Sequence, residues 1–263
     1  MRDSQETILC TSGLSVGYKS KTGNTVVAED INFKFTKGKL IGLVGANGIG
    51  KSTLLRTLAT IQQPLSGRIE INTKAIGSYA AQDLAKVLSL VLTEQFMSKN
   101  LSVLELVSLG RQPYTNWVGN LKSHDILIVE TALEQTNLSE LKHRKCFELS
   151  DGQLQKVMIA RALAQDTELI ILDEPTTHLD MYHKAYILKL LQNITKETNK
   201  TILFSSHEID LAIQLCDNMI VMTDNAVISD EPCRLIEKGV FQHLFPKDLI
   251  QFDDKTGSFR VRK

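Results

Sequence analysis

The sequence predicts an α/β protein: a mostly parallel sheet with flanking helices, an antiparallel β subdomain at the N-terminal end, and a helical insertion. Two unbroken apolar runs, Leu40 to Val44 and Leu169 to Leu172, have the pattern of central parallel strands covered on both faces. Helical spacing follows the second of them, at Ile187, Leu191 and Ile194, and recurs at Ile209, Ala212, Ile213 and Cys216. Near the start, Ile31, Phe33 and Phe35 alternate with Asn32, Lys34 and Thr36, the period of a half-buried strand. Ile69 and Ile71 repeat that alternation after a turn at Pro64 to Gly67, which supplies the antiparallel edge.

Residues 1–94 and 156–230 are expected to form the core, 95–155 the insertion, and 231–263 a tail from which nothing is read. Within the insertion, Ser102 and Glu105 make a capping box ahead of an apolar run, and Ile126 to Gln135 reads as helix. Gly110 reads as a helix C-cap and Pro113 as a stop. Hydrophobic residues make up 43% of the chain and charged residues 23%, enough apolar material for a packed core. Thirty basic residues balance thirty acidic ones, which argues against a nucleic-acid partner. Cys10, Cys146, Cys216 and Cys233 are too scattered for a metal site and read as free thiols in a reducing compartment. Met1 to Thr11 lacks the apolar stretch of a secretory signal, and the apolar runs are too short to cross a bilayer.

Chemistry concentrates in three motifs. Gly45-Ala46-Asn47-Gly48-Ile49-Gly50-Lys51-Ser52 fits G-x-x-x-x-G-K-[ST], between an apolar strand and a helix read from Ser52 to Ile61. Its glycines let successive backbone N–H groups and a helix N-terminus face phosphate. Lys51 is expected to reach the β- and γ-phosphates of ATP. Ser52 is expected to ligate Mg²⁺, with Thr53 behind it. The second motif, Glu168 to Glu174, ends a buried strand in two carboxylates, where α/β sheets bind ligands. There Asp173 is expected to hold Mg²⁺ through water, and Glu174 to deprotonate the attacking water. The plain alternative for both acids is a solvated turn before Pro175.

The third motif is Leu149-Ser150-Asp151-Gly152-Gln153, followed by Gln155-Lys156 and Ala160 to Leu163. Together with the first two it resembles the ABC ATPase family and its L-S-G-G-Q signature, from which Asp151 departs. Ser150 and Gln153 also form a capping box, and a serine-capped helix N-terminus suits a γ-phosphate clamp for the same reason that it caps well. The resemblance covers roughly Ile8 to Asp230. It implies a phosphate-loop NTPase core and ATP hydrolysed with Mg²⁺ at composite sites of a head-to-tail homodimer, with Ser150, Gly152 and Gln153 serving the opposite chain. It also implies that His207 is the switch histidine at the γ-phosphate, that Asp180 communicates across the dimer, and that Tyr18 stacks on adenine. Their plain alternatives are a structural histidine, a helix cap and an ordinary strand aromatic. Where the family shows a metal-sensing glutamine this chain has Thr93, with Glu94 and Gln95 beside it; Gln95 is the candidate ligand.

Gly110 to Tyr114 and Thr177 to Asp180 resemble importer subunits for ferric siderophores, haem or cobalamin. The partners so implied are an integral membrane permease and, indirectly, a periplasmic or surface substrate-binding protein. The subunit itself is placed on the cytoplasmic face of the cell membrane. Gln95 to Tyr114 is expected to line the permease cleft and to present Arg111. A cytosolic ABC ATPase without a transport role, or a transporter of another substrate, remains the alternative.

Overall fold

The computed structural model describes residues 6–21, 23–92, 100–116, 119–245 and 248–261. Two long strands open it, β1 (Thr7–Ser20) and β2 (Gly23–Thr36), followed by β3 (Leu40–Gly45), α1 (Lys51–Leu58), β4 (Ser66–Ile71) and β5 (Lys74–Ala75). Next come α2 (Ala81–Leu84), β6 (Leu88–Val91), and three helices, α3 (Val103–Ser108), α4 (Ser123–Gln135) and α5 (Asp151–Ala164). The second half of the chain alternates β7 (Leu169–Leu172), α6 (Met181–Thr198), β8 (Thr201–Ser206), α7 (Ile209–Leu215) and β9 (Asn218–Met222). It ends with β10 (Val227–Asp230), α8 (Pro232–Glu237), β11 (Ile250–Asp253) and β12 (Ser258–Val261). Among the described residues no helix is long and apolar enough to cross a membrane.

The central sheet has the order β10-β9-β3-β8-β7-β6, parallel except for β10 at one edge. The antiparallel sheet has the order β2-β1-β4-β5 and covers one face of it. Alternation explains why β3 and β7 read as unbroken apolar runs. Ile41 and Leu43 of β3, and Leu169 and Ile171 of β7, join the cluster shared with β1, β2, β4 and α1. Leu40, Val44, Ile170 and Leu172 turn the other way, into the cluster built from α3 to α7. Both sides of each strand are therefore dry, the condition that parallel central strands require.

Several local expectations change. Helix α1 stops at Leu58 because Thr60 turns left-handed (φ 62°) and Ile61 and Gln62 N–H both close on Arg56 O, at 2.9 and 3.2 Å. Helix α7 ends before Cys216, although that thiol still packs toward Gly42. Gly110 is not a C-cap. The chain passes from α3 directly into a 3₁₀ turn, Leu109–Tyr114, that contains Pro113. A Cβ on Gly110 would meet Arg161 O of α5 at 2.3 Å, so glycine is needed there for close helix packing. Helix α5 runs unbroken through the expected subdomain boundary at 155 and 156.

Arg111 is also placed differently from the expectation, being 3% exposed and therefore not on an accessible surface. Its Nε and Nη2 donate to Asp125 Oδ1 at 3.0 and 2.9 Å, and its Nη1 donates to Ala164 O at 2.9 Å. The guanidinium lies 3.9 Å from the Tyr114 ring centroid. It thus ties the 3₁₀ turn, α4 and α5 together.

The tail is folded as well. Leu235, Val240, Phe241, Leu244 and Phe252 are buried in the same cluster as the helices of the core. Phe241 stacks on Phe252 at 5.1 Å, and Phe252 meets Phe259 at 4.9 Å across the β11–β12 pair.

Candidate functional site

The phosphate loop joins β3 to α1, and β2 lies against it. Gly50 adopts φ 110°, and a Cβ there would come within 2.1 Å of Val27 Cγ1. Only glycine satisfies both demands. Lys51, the first residue of α1, is 5% exposed and donates to Gly45 O at 3.0 Å and Ala46 O at 3.2 Å. Burial pushes its pKa below the usual lysine value, while the Glu174 and Asp173 carboxylates act against that shift. Ser52 Oγ donates to Asp173 Oδ1 at 3.1 Å, so the loop and the carboxyl end of β7 meet directly.

Beyond β7 the chain carries its two acids in one turn. Asp173 is 4% exposed, and its N–H donates to Val91 O at 2.8 Å. Glu174 adopts φ 50° and His178 φ 64°, left-handed conformations uncommon outside glycine and concentrated at functional turns. Glu174 Oε2 accepts from Thr177 Oγ1 at 3.0 Å, and Oε1 lies 2.6 Å from His207 Nε2. His207 Nδ1 lies 3.5 Å from Lys51 Nζ. An ammonium can only donate and a carboxylate can only accept, so the contacts are met by an imidazole with its proton on Nε2.

A cleft of about 500 Å³ is lined by Tyr18, Asn47, Gly48, Gly50, Lys51, Ser52, Thr53, Glu174 and His207. Tyr18 is half exposed on β1, with its hydroxyl 3.0 Å from Thr53 Oγ1. The structure thus gathers the loop, Tyr18, Asp173, Glu174 and His207, but the signature residues lie outside this cleft. Ser150 caps α5, accepting Gln153 N–H at 3.3 Å while Ser150 N–H donates to Gln153 Oε1 at 3.1 Å. Asp180 caps α6 by accepting His183 N–H at 2.9 Å. A Cβ on Gly152 would come within 3.1 Å of the His183 ring, so the two helix starts are neighbours within one chain. Gln95 lies outside the described residues, as do Thr93 and Glu94. Two contributors escaped sequence reasoning, Thr177 and Ser205. The only sequence signal for Ser205 was a hydroxyl ending the apolar run Thr201 to Phe204, two residues before His207.

Hard oxygen donors at Ser52 and Asp173, 3.1 Å apart, with a basic side chain beside them, fit Mg²⁺ carried on nucleotide phosphates. Among the described residues no group of three or more His, Cys, Asp or Glu could hold a metal alone.

A parallel sheet with a phosphate loop after one strand and paired acids after another defines a phosphate-loop ATPase. A family model described as ABC transporter matches residues 28–177, and the chain belongs to that family. The iron(3+)-hydroxamate import ATP-binding protein FhuC of Bacillus subtilis (strain 168) is 40% identical over 222 residues, spanning 84% of this chain and 81% of that protein. The achromobactin transport ATP-binding protein CbrD of Dickeya dadantii (strain 3937) is 34% identical over 243 residues, 92% of this chain and 89% of that protein. Among solved structures, an inward-facing ABC transporter described as metal-chelate type aligns with a TM-score of 0.79 and 29% identity, covering 97% of this chain and 96% of that one. The chain is thus an ATP-binding, ATP-hydrolysing ABC subunit.

Proposed function

We propose that the protein powers import of a ferric siderophore or a related metal chelate, bound to a membrane permease on its cytoplasmic face and served by a substrate-binding protein. Support for the cargo class comes from the similarity to hydroxamate and achromobactin transport subunits along more than four fifths of the chain. The expected insertion, residues 95–155, is assigned to permease contact, and two copies are assigned to a head-to-tail dimer.

The observation that carries the catalytic reading is the convergence of Lys51, Ser52, Asp173, Glu174 and His207 at one end of the sheet. In this reading Lys51 leaves the carbonyls of its own loop for the β- and γ-phosphates. Ser52 and Asp173 hold Mg²⁺, which neutralises charge on the phosphates when bound. Glu174 orients water and accepts its proton, and the His207 Nε2–H aims the carboxylate before turning to the γ-phosphate. Tyr18 faces adenine. Ser150, Gly152 and Gln153 of one copy close on the nucleotide of the other, with Asp180 beside that contact.

The test pairs phosphate release with nucleotide binding in Glu174→Gln. An amide cannot accept a proton, and a positioned base is worth roughly 10²–10⁴-fold. Binding is expected to persist while turnover falls by that factor; turnover within about threefold of wild type refutes the role of Glu174. Loss of labelled ferric siderophore uptake on deletion of the gene, with uptake of other nutrients intact, tests the cargo.

A further inference from the structure

Ser205 is fully buried at the end of β8, one residue beyond the last β7–β8 pair, Leu172 with Phe204. Its hydroxyl donates to Asp173 Oδ1 at 2.7 Å and accepts Glu174 N–H at 2.8 Å. One side chain therefore grips the carboxylate of the first acid and the backbone of the second. The same Oδ1 accepts from Ser52 at 3.1 Å, so two hydroxyls, one from the start of α1 and one from β8, fix one carboxylate oxygen. Glu174 holds φ 50°, a backbone state that persists in a non-glycine residue only where its surroundings impose it. Ser205 supplies part of that imposition, because the Glu174 N–H would otherwise lose its partner. The neighbouring Ser206, equally buried, turns elsewhere and accepts Glu208 N–H at 2.9 Å. The grip on both acids thus belongs to Ser205 and is not a general property of the strand end.

We propose that Ser205 is a positioning residue for hydrolysis, setting the Asp173 carboxylate for the metal and the Glu174 turn for the attacking water, without touching nucleotide. This deepens the catalytic reading of Asp173 and Glu174 and rests on it. Alanine at this site removes one hydroxyl from a buried strand and leaves the phosphate loop untouched. It should therefore separate metal use from nucleotide binding.

The experiment uses the full chain, wild type and Ser205→Ala, and measures fluorescent ATP-analogue binding in EDTA and ATP turnover across a Mg²⁺ titration. Metal-free binding is expected to stay within about twofold, the Mg²⁺ half-saturation to rise at least about fivefold, and kcat at saturating Mg²⁺ to fall at least about tenfold. Ser205→Thr, which keeps the hydroxyl, should recover most of kcat. A half-saturation within about twofold of wild type overturns the proposal whatever kcat does. A loss of metal-free binding equal to the loss of turnover also overturns it, since the serine would then be merely structural. Glu174→Gln, run in parallel, keeps the two readings apart. If that variant turns over normally, the role of Glu174 fails on its own, while the Mg²⁺ titration still decides the hold of Ser205 on Asp173.

Discussion

Replacing Arg111 with alanine removes one half of a buried ion pair and one side of a junction between helices. Arg111 and Asp125 have side chains only 3% and 6% exposed. Three donors of the guanidinium are engaged, two on Asp125 Oδ1 and one on Ala164 O. Deleting one partner leaves Asp125 charged in a dry site, which costs about 3–5 kcal/mol. In a chain of 263 residues each kcal/mol is worth about 2–4 °C in Tm, so the expected drop is about 6–20 °C. Circular dichroism melts of the isolated subunit measure it; a drop of less than about 3 °C refutes the reasoning. The pH profile supplies a second check. Asp125 titrates below its ordinary 3.8, chiefly because Lys122 N–H donates to Oδ2 at 2.9 Å, with burial opposing and Arg111 adding to the shift. A carboxyl depressed on folding contributes stability above its unfolded value and loses it as pH falls through the folded one. Asp125→Asn should therefore show a flatter decline than wild type below pH 3.8.

Gly110→Ala places a methyl 2.3 Å from Arg161 O, and the forced shift of α3 against α5 should destabilise the protein by about 1–3 kcal/mol in urea titrations. An unchanged midpoint would show that the helices separate freely. Ser150→Arg and Lys51→Ala, each inactive alone under the proposed dimer, should complement when mixed. Random pairing makes half of the dimers mixed, each with one sound site, so independent sites recover up to about a quarter of wild-type turnover, by the factor-of-two losses at pairing and at site number. Normal hydrolysis by Ser150→Arg as a dilute monomer would mean that the site is complete in one chain.

What could be read from the sequence was what is local. The phosphate loop, the acids ending β7 and the capping box at Ser150 each occupy a few consecutive residues, and each recurs in space as it stands in the chain. What could not be read depends on partners far apart in sequence. Arg111, next to Gly110 and two residues before Pro113, looks like a residue of an exposed loop, and the reason for its burial is Asp125, 14 positions on. Gly110 looks like a helix end until Arg161 O is seen above it. Ser205 is an ordinary hydroxyl residue whose role exists only once β7 and β8 lie side by side. In the tail, Phe252 and Phe259 meet because β11 and β12 pair, and Phe241 reaches Phe252 through packing.

The placement of the signature follows from the same geometry. The phosphate loop and the paired acids converge because β3, β7 and β8 are adjacent and parallel, so their carboxyl ends share one edge of the sheet. Helix α5 enters that sheet from its other end, since its C-terminus leads into β7 through Thr167, and its capped start stands one helix length away. Fourteen residues of helix span about 21 Å, which carries the capped start from that far end back toward the carboxyl ends of the strands. Gly152 rests against His183 at the start of α6, and Asp151 and Gln155 line a cavity together with Asp173, Glu174 and Thr177. ATP carries about four negative charges, and one lysine with one Mg²⁺ offsets about three, leaving room for the half charge of a helix N-terminus. Under the proposed head-to-tail dimer, the missing donors come from the signature helix of a second copy, and closure of the two copies becomes the step at which hydrolysis can be coupled to movement of the insertion.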